Sequence, residues 1–176
     1  MENFVRKYEV YLKKAGKDSY GRTLAYVFGK SASGTVFYEE EVLKEGLARP
    51  LIYFENVDSE LTFRIVEAYK YAFGHKKGIF SKWNTAPVLT SFSREYVGKI
   101  VFLKGTVSSV YKSGGMWYIN SDWFTIKIRE EEFYYFFKNY DLNKLKGKTV
   151  KFYGELWLDD EKPIILLRSP NEIVLP

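Results

Sequence analysis

The 176-residue chain carries 27 Lys and Arg against 22 Asp and Glu, a net charge of +5, with 46% hydrophobic and 19% aromatic residues. That composition excludes a disordered polyelectrolyte and suits one large or two small cores. The absence of cysteine excludes disulfides and thiolate metal sites, a single histidine (His75) excludes a His-rich metal centre, and no apolar run reaches the roughly 18 residues that span a membrane.

In chain order, Met1–Lys7 lacks the apolar core of a signal peptide, so the expectation is a cytoplasmic protein with no membrane contact. Plentiful Lys and Glu without Cys gives a thermophile-like composition. Tyr8–Leu12 reads as a strand and Lys13–Lys17 as a loop. Asp18, Ser19 and Gly21 are turn formers, and Leu24, Tyr26 and Phe28 then alternate with Thr23, Ala25 and Val27 as in a strand. A β-hairpin follows, with Tyr20 and Arg22 at its mouth, where a guanidinium fork can meet a phosphate. Residues 1–30 hold seven Lys and Arg against three acids, the strongest local basic excess read from the chain.

Ser31–Gly34 reads as a turn and Tyr38–Glu45 as a short helix, with Glu39, Glu40 and Glu41 in its first turn and Gly46 ending it. Consecutive helical residues point in different directions, so this acidic triplet is a helix-start cluster rather than a metal site. Leu51–Phe54 reads as a short strand or extended segment. Asp58 or Ser59 caps the longest helix, which runs to about Gly74 and carries an apolar stripe of Leu61, Ile65, Tyr69 and Ala72. His75 lies just past its end and reads as structural or exposed.

Three blocks in this half, Asp18–Tyr26, Glu39–Ala48 and Lys76–Phe80, resemble the staphylococcal-nuclease (thermonuclease) family, which shows D-x-Y-G-R-x-L-A-Y, a helix ending in E-G-L-A, and K-x-G-(I/L)-W in that order. Phe80 stands where the family has tryptophan. The resemblance covers about residues 5–82 and implies a five-stranded OB-type barrel with helices that binds one calcium ion and hydrolyses phosphodiesters. It places Arg22 on one of two transition-state arginines and Tyr20 on a tyrosine beside the phosphate and sugar. The calcium aspartates, the second arginine and the general-base glutamate belong in the family to strands upstream of the matching blocks. The expectation is therefore a truncated barrel that binds without cutting and needs no cofactor, calcium entering only if the front half is supplied. Open barrel edges would favour a homodimer.

Asn84–Ser91 reads as a linker. Beyond it, Gly98–Val107 and Gly147–Leu156 repeat the pattern G-K-x-V-x-x-x-G-x-(V/L), each second glycine sharing the inward parity of the apolar residues. Strands at Met116–Ile119, Trp123–Ile128 and Ile164–Arg168 and a helix from about Glu130 complete the order of an OB-fold, and Asp159–Glu161 reads as a hairpin turn. This half also resembles the small OB domains of prokaryotic nucleic-acid-binding proteins, sharing their S/D-P-x-x-I close at Ser169–Ile173. Outward parity groups Trp123, Thr125 and Lys127 on one strand, Lys104 with Phe102 on another, and Lys151, Tyr153 and Trp157 on a third. Aromatics interleaved with lysines suit a single strand, whose bases stack while cations track phosphates.

The fold class expected is mainly β with helices (α+β): a truncated nuclease-like OB barrel over 1–83, a linker over 84–95 and a five-stranded OB-fold barrel over 96–176. The function expected is binding of single-stranded DNA or RNA. The alternatives are a calcium-dependent nuclease completed by a missing N-terminal segment or a partner chain, and a protein-interaction module using the same aromatic surfaces.

Overall fold

The computed structural model describes residues 1–18 and 20–175; the reading of Ser19 as a turn former falls outside them. The fold is mixed α+β and dominated by sheets, in two compact units, Met1–Phe80 and Ser81–Pro176. Among the described residues no helix is long and apolar enough to cross a membrane.

In the first unit, helix α1 (Glu2–Lys7) leads into a sheet of order β1 (Glu9–Lys17), β2 (Thr23–Ser31) and β3 (Gly34–Phe37). Lys13–Lys17 are therefore strand rather than loop. They pair with Tyr26 back to Thr23, and a register shift between Lys14 and Gly16 absorbs Ala15 as a bulge. Five residues rich in lysine tolerate this because β1 is an edge strand, where charge is favoured. Helix α2 (Tyr38–Lys44) follows β3, and α3 (Ser59–Gly74) is capped by Asp58, whose side chain accepts the Leu61 N–H. Leu51–Tyr53 belong to no strand, Tyr53 keeps an extended backbone, and Phe54 opens a 3-10 turn that ends the segment.

Phe28, Phe37 and Leu61 form the buried centre of this unit, flanked by Tyr26 and Ile65. The E-G-L-A and K-K-G-I-F blocks meet backbone to backbone. Gly46 and Gly78 both take positive φ (+64° and +50°), Ile79 N–H donates to Gly46 O at 2.9 Å, and a Cβ on Gly78 would lie 2.2 Å from that oxygen. Only glycine fits both sides of that contact.

The second unit holds two sheets. One has the order β10 (Trp157–Asp159), β11 (Lys162–Leu166), β8 (Thr125–Arg129), β7 (Met116–Asn120) and β6 (Ser109–Ser113). The other has the order β12 (Ile173–Val174), β9 (Thr149–Glu155), β5 (Ile100–Thr106) and β4 (Val88–Leu89). Helix α4 (Glu130–Phe136) follows β8. Only Val107 and Ser108 separate β5 from β6, and only Leu156 separates β9 from β10. Each pair is one long strand bent from one sheet into the other. The pairings consequently run in a ring: β5–β6 to β7, β8, β11, then β10–β9 and back to β5, with β8 and β11 parallel.

The repeated G-K motifs sit at the centre of this arrangement. β5 and β9 are antiparallel, with Val101 opposite Gly154 and Gly105 opposite Val150, so each core valine faces the other repeat's glycine. Gly98 N–H donates to Leu156 O and Gly147 N–H to Val107 O, the same corner made twice. Inward residues Val101, Leu103, Val150, Phe152 and Leu156 are at most 1% exposed. Val88–Leu89, within the stretch read as linker, forms β4 and pairs with β5.

Candidate functional site

In the first unit the β1–β2 turn is built around Asp18. Its Oδ1 accepts the Tyr20 and Arg22 amides, each at 2.9 Å, and its Oδ2 accepts Arg22 Nε at 2.6 Å. Gly21, at φ +78°, lets the chain double back so that its N–H reaches Asp18 O at 3.0 Å. Partial burial pushes the Asp18 carboxyl up, but the bonds from Arg22 and Tyr20 together outweigh it and hold the group below the ordinary aspartate range. The Arg22 guanidinium lies 5.3 Å from the centroid of the Tyr20 ring, and that ring is 83% exposed. The turn thus presents an oriented cation and a free aromatic face at the mouth of a cavity of about 420 Å³ that Lys17, Tyr53 and Glu55 also line.

Calcium takes six to eight oxygen ligands. The nearby carboxylates are already committed: Asp18 to the turn, Asp58 to the α3 cap and Lys13, and Glu39 to the Val27 N–H. No group of three His, Asp or Glu placed to hold a metal occurs among the described residues.

In the second unit the sequence-predicted residues separate onto two sheets. On the five-stranded sheet, Val110, Ile119, Ile126 and Ile165 turn inward, so Tyr111, Tyr118 and Lys127, consecutive partners across β6, β7 and β8, turn outward. Tyr111 and Tyr118 stack at 5.0 Å with 12° between their planes, and Lys127 Nζ lies 5.6 Å from the Tyr118 centroid while pairing with Asp159. Trp157, 48% exposed, shares this parity through its partner Ile164. A cavity of about 210 Å³ lies on this face, lined by both tyrosines, Asn120, Lys127, Asp159 and Lys162. Asn120 is held by Thr125 Oγ1 at 2.8 Å and donates to Ser109 Oγ at 3.0 Å.

Lys104 and Lys151 lie on the other sheet, directly opposite each other across β5 and β9, with Lys151 Nζ 5.5 Å above the Phe102 ring. Tyr153, expected as an exposed stacking residue, is only 1% exposed. Trp83 packs on it at 4.9 Å and on Phe102 at 5.2 Å, covering the outward parity at that end of the sheet. Trp123 is not in a strand: it is half-buried in the bend before β8, and its Nε1 donates to Lys104 O at 3.3 Å. Thr125 does lie in β8 on the parity of Lys127 but is only 4% exposed, its Oγ1 donating to Asn120 Oδ1. Tyr111, Tyr118, Asn120 and Lys162 escaped the sequence reading. The signal was there in Gly114-Gly115, a hairpin dipeptide with φ of +55° and +72°, which makes Ser109–Ser113 the partner of Met116–Asn120.

Residues 1–82 match the family model described as Staphylococcal nuclease homologue. The thermonuclease of Staphylococcus hyicus is 41% identical to the chain over 76 residues, a segment spanning 43% of this chain and 41% of that protein.

Proposed function

Since residues 1–82 form a staphylococcal-nuclease-family domain, we propose that the protein binds single-stranded nucleic acid, using Tyr20 and Arg22 as a phosphate contact and a second, OB-type unit as a stacking platform. The observation that carries the reading is the stacked Tyr111–Tyr118 pair on an outward sheet face, with Lys127 beside it. Stacked aromatics with a neighbouring cation suit bases in any order, because every base has a π-face. The ring of pairings, with β8 and β11 parallel and a helix between β8 and β9, is the support for an OB-type second unit.

Binding rather than hydrolysis is the activity assigned. Phosphodiester cleavage draws several kcal/mol each from metal and general-base groups, and a single guanidinium tied to Asp18 does not replace them. A labelled single-stranded 15-mer titrated at low salt tests the reading. Binding that weakens linearly with log salt and falls on Tyr111→Ala/Tyr118→Ala supports it. No binding at low salt sinks it, and calcium-dependent cleavage that disappears in Arg22→Ala replaces it with a nuclease.

A second reading concerns the partner. β1 is an unshared sheet edge among the described residues, and beside β2 lies an apolar cavity of about 290 Å³ lined by Leu24, Tyr26, Leu51, Ile52 and Ile65. An added strand from a second copy fits this edge. A concentration-independent monomer mass in sedimentation would overturn it.

A further inference from the structure

We infer that a bound single strand follows the bent strand β5–β6, from the tyrosine pair on the five-stranded sheet onto Lys104 and Lys151 on the four-stranded sheet. This rests on the nucleic-acid reading above and extends it from one face to a path over two. Lys104 and Lys151 are direct cross-strand partners, and like charges so placed repel. Neither forms an ion pair among the described residues, whereas Lys112 and Lys127, on the tyrosine-bearing sheet, are paired with Glu130 and Asp159. Lys162 beside the tyrosines is likewise without an ion pair among the described residues, so uncompensated positive charge continues from the stacking face onto the lysine pair, where a phosphodiester would relieve it.

The next row supplies hydroxyls. Thr106 Oγ1 and Thr149 Oγ1 lie 3.0 Å apart, directly opposite each other and adjacent to the lysine pair. Between the lysines and the tyrosines the outward residues along the bend are Thr106, Ser108 and Ser109, all small hydroxyl side chains that let a backbone approach closely. Trp123 fastens the seam through its bond to Lys104 O. From Lys104 to Tyr111 the path spans seven residue steps, at most roughly 23 Å at about 3.3 Å per residue. A dinucleotide at the tyrosines is too short to reach Lys104, whereas a 15-mer lies within the range of lengths that single OB units accommodate.

The test is the length dependence of two double variants. For Lys104→Gln/Lys151→Gln, affinity for dT15 should fall on the order of tenfold at 0.1 M salt, and the log–log salt slope should flatten by about 1.4 for two lost single-strand phosphate contacts. The same variant should bind dT2 as the wild type does, while Tyr111→Ala/Tyr118→Ala loses both ligands. The single Lys104→Gln, which removes the more exposed lysine, serves as a second variant should the double one unfold. Equal loss of dT2 and dT15 in the lysine variant, or no loss of either, overturns the path. Loss of binding to phosphatidylserine vesicles with dT15 affinity unchanged also overturns it, in favour of a membrane surface. If wild-type protein binds neither oligonucleotide, the functional reading itself fails, a result distinct from failure of the path alone.

Discussion

Arg22 Nε sits 2.6 Å from Asp18 Oδ2, so the cation of the β1–β2 turn is oriented by a carboxylate four residues earlier in the chain. That carboxylate is held by the turn's own amides, so the charge, the turn and the ring of Tyr20 form one unit. A guanidinium has five N–H donors, and one bond to Asp18 leaves most of the fork for a ligand.

Replacing Asp18 with Asn keeps an acceptor for the two amides but removes the charge that strengthens those two bonds as well as orienting Arg22, whereas loss of the Arg22 side chain leaves the amide bonds intact. The Asp18 carboxyl titrates below its ordinary value of 3.8, so its contribution to stability is present above that value and is lost as pH falls through the lower folded value. Asp18→Asn should therefore melt below the wild type at pH 7, and the gap should close in acid. Arg22→Ala, by contrast, removes a side chain that is 75% exposed; it should leave the melting temperature nearly unchanged and weaken oligonucleotide binding. Thermal melts at pH 7 and pH 3, with a binding titration of each variant, check both outcomes.

Glu39 gives the opposite sign. Burial raises its carboxyl above the usual 4.5, against the lowering effect of its own amide and the Val27 N–H. The folded state thus prefers the protonated form, and stability is lost as pH rises through the folded value. Glu39→Gln keeps an acceptor for Val27 and has no charge to bury. It should be more stable than the wild type at pH 7 and indistinguishable from it below about pH 4. Equal stability of the two at pH 7 would contradict this.

The glycine echo yields a packing prediction. A Cβ on Gly105 would lie 2.3 Å from Ser121 Oγ and 2.9 Å from Phe124 Cε1, and both residues are buried. Ser121 is fixed by its bond to Asp122 Oδ1 at 2.7 Å, and Phe124 by the core around Phe152. Gly105→Ala should cost about 1–3 kcal/mol, the usual range for overpacking, measured as a lower denaturant midpoint.

Period-2 alternation and glycine spacing made much of this legible from sequence. Gly105 and Gly154 do share the inward parity, Asp58 does cap α3, and Asp160 and Glu161 do turn the β10–β11 hairpin, at φ of +45° and +64°. What parity cannot say is whether an outward position is covered. Phe102 and Tyr153 were placed on the outer face and lie there, yet Trp83, from the far side of the stretch read as linker, packs over both. A lysine-rich run such as Lys13–Lys17 likewise reads as loop when its strand is an edge, because one-sided burial leaves no apolar alternation to detect. The tyrosine face was missed for a third reason. Tyr111 and Tyr118 become neighbours only through the register of β6 on β7, which a single strand's pattern does not contain.

The opposed lysines set function against stability, and that opposition is measurable. Lys104 faces Lys151 across a ladder in which opposite charges gain, and like charges lose, roughly 0.2–1 kcal/mol. Lys104→Glu converts the repulsion into an attraction at an exposed position. It should stabilise the fold by on the order of 1 kcal/mol, read as a higher denaturant midpoint with no change of slope, because the surface exposed on unfolding is the same. The gain should fade in 1 M salt, where the screening length falls to about 3 Å. The same substitution should weaken binding of dT15 more than Lys104→Gln does, because it repels phosphate as well as ceasing to attract it. A variant that is both less stable and equally good at binding would show that the two lysines are neither in conflict with each other nor facing a polyanion.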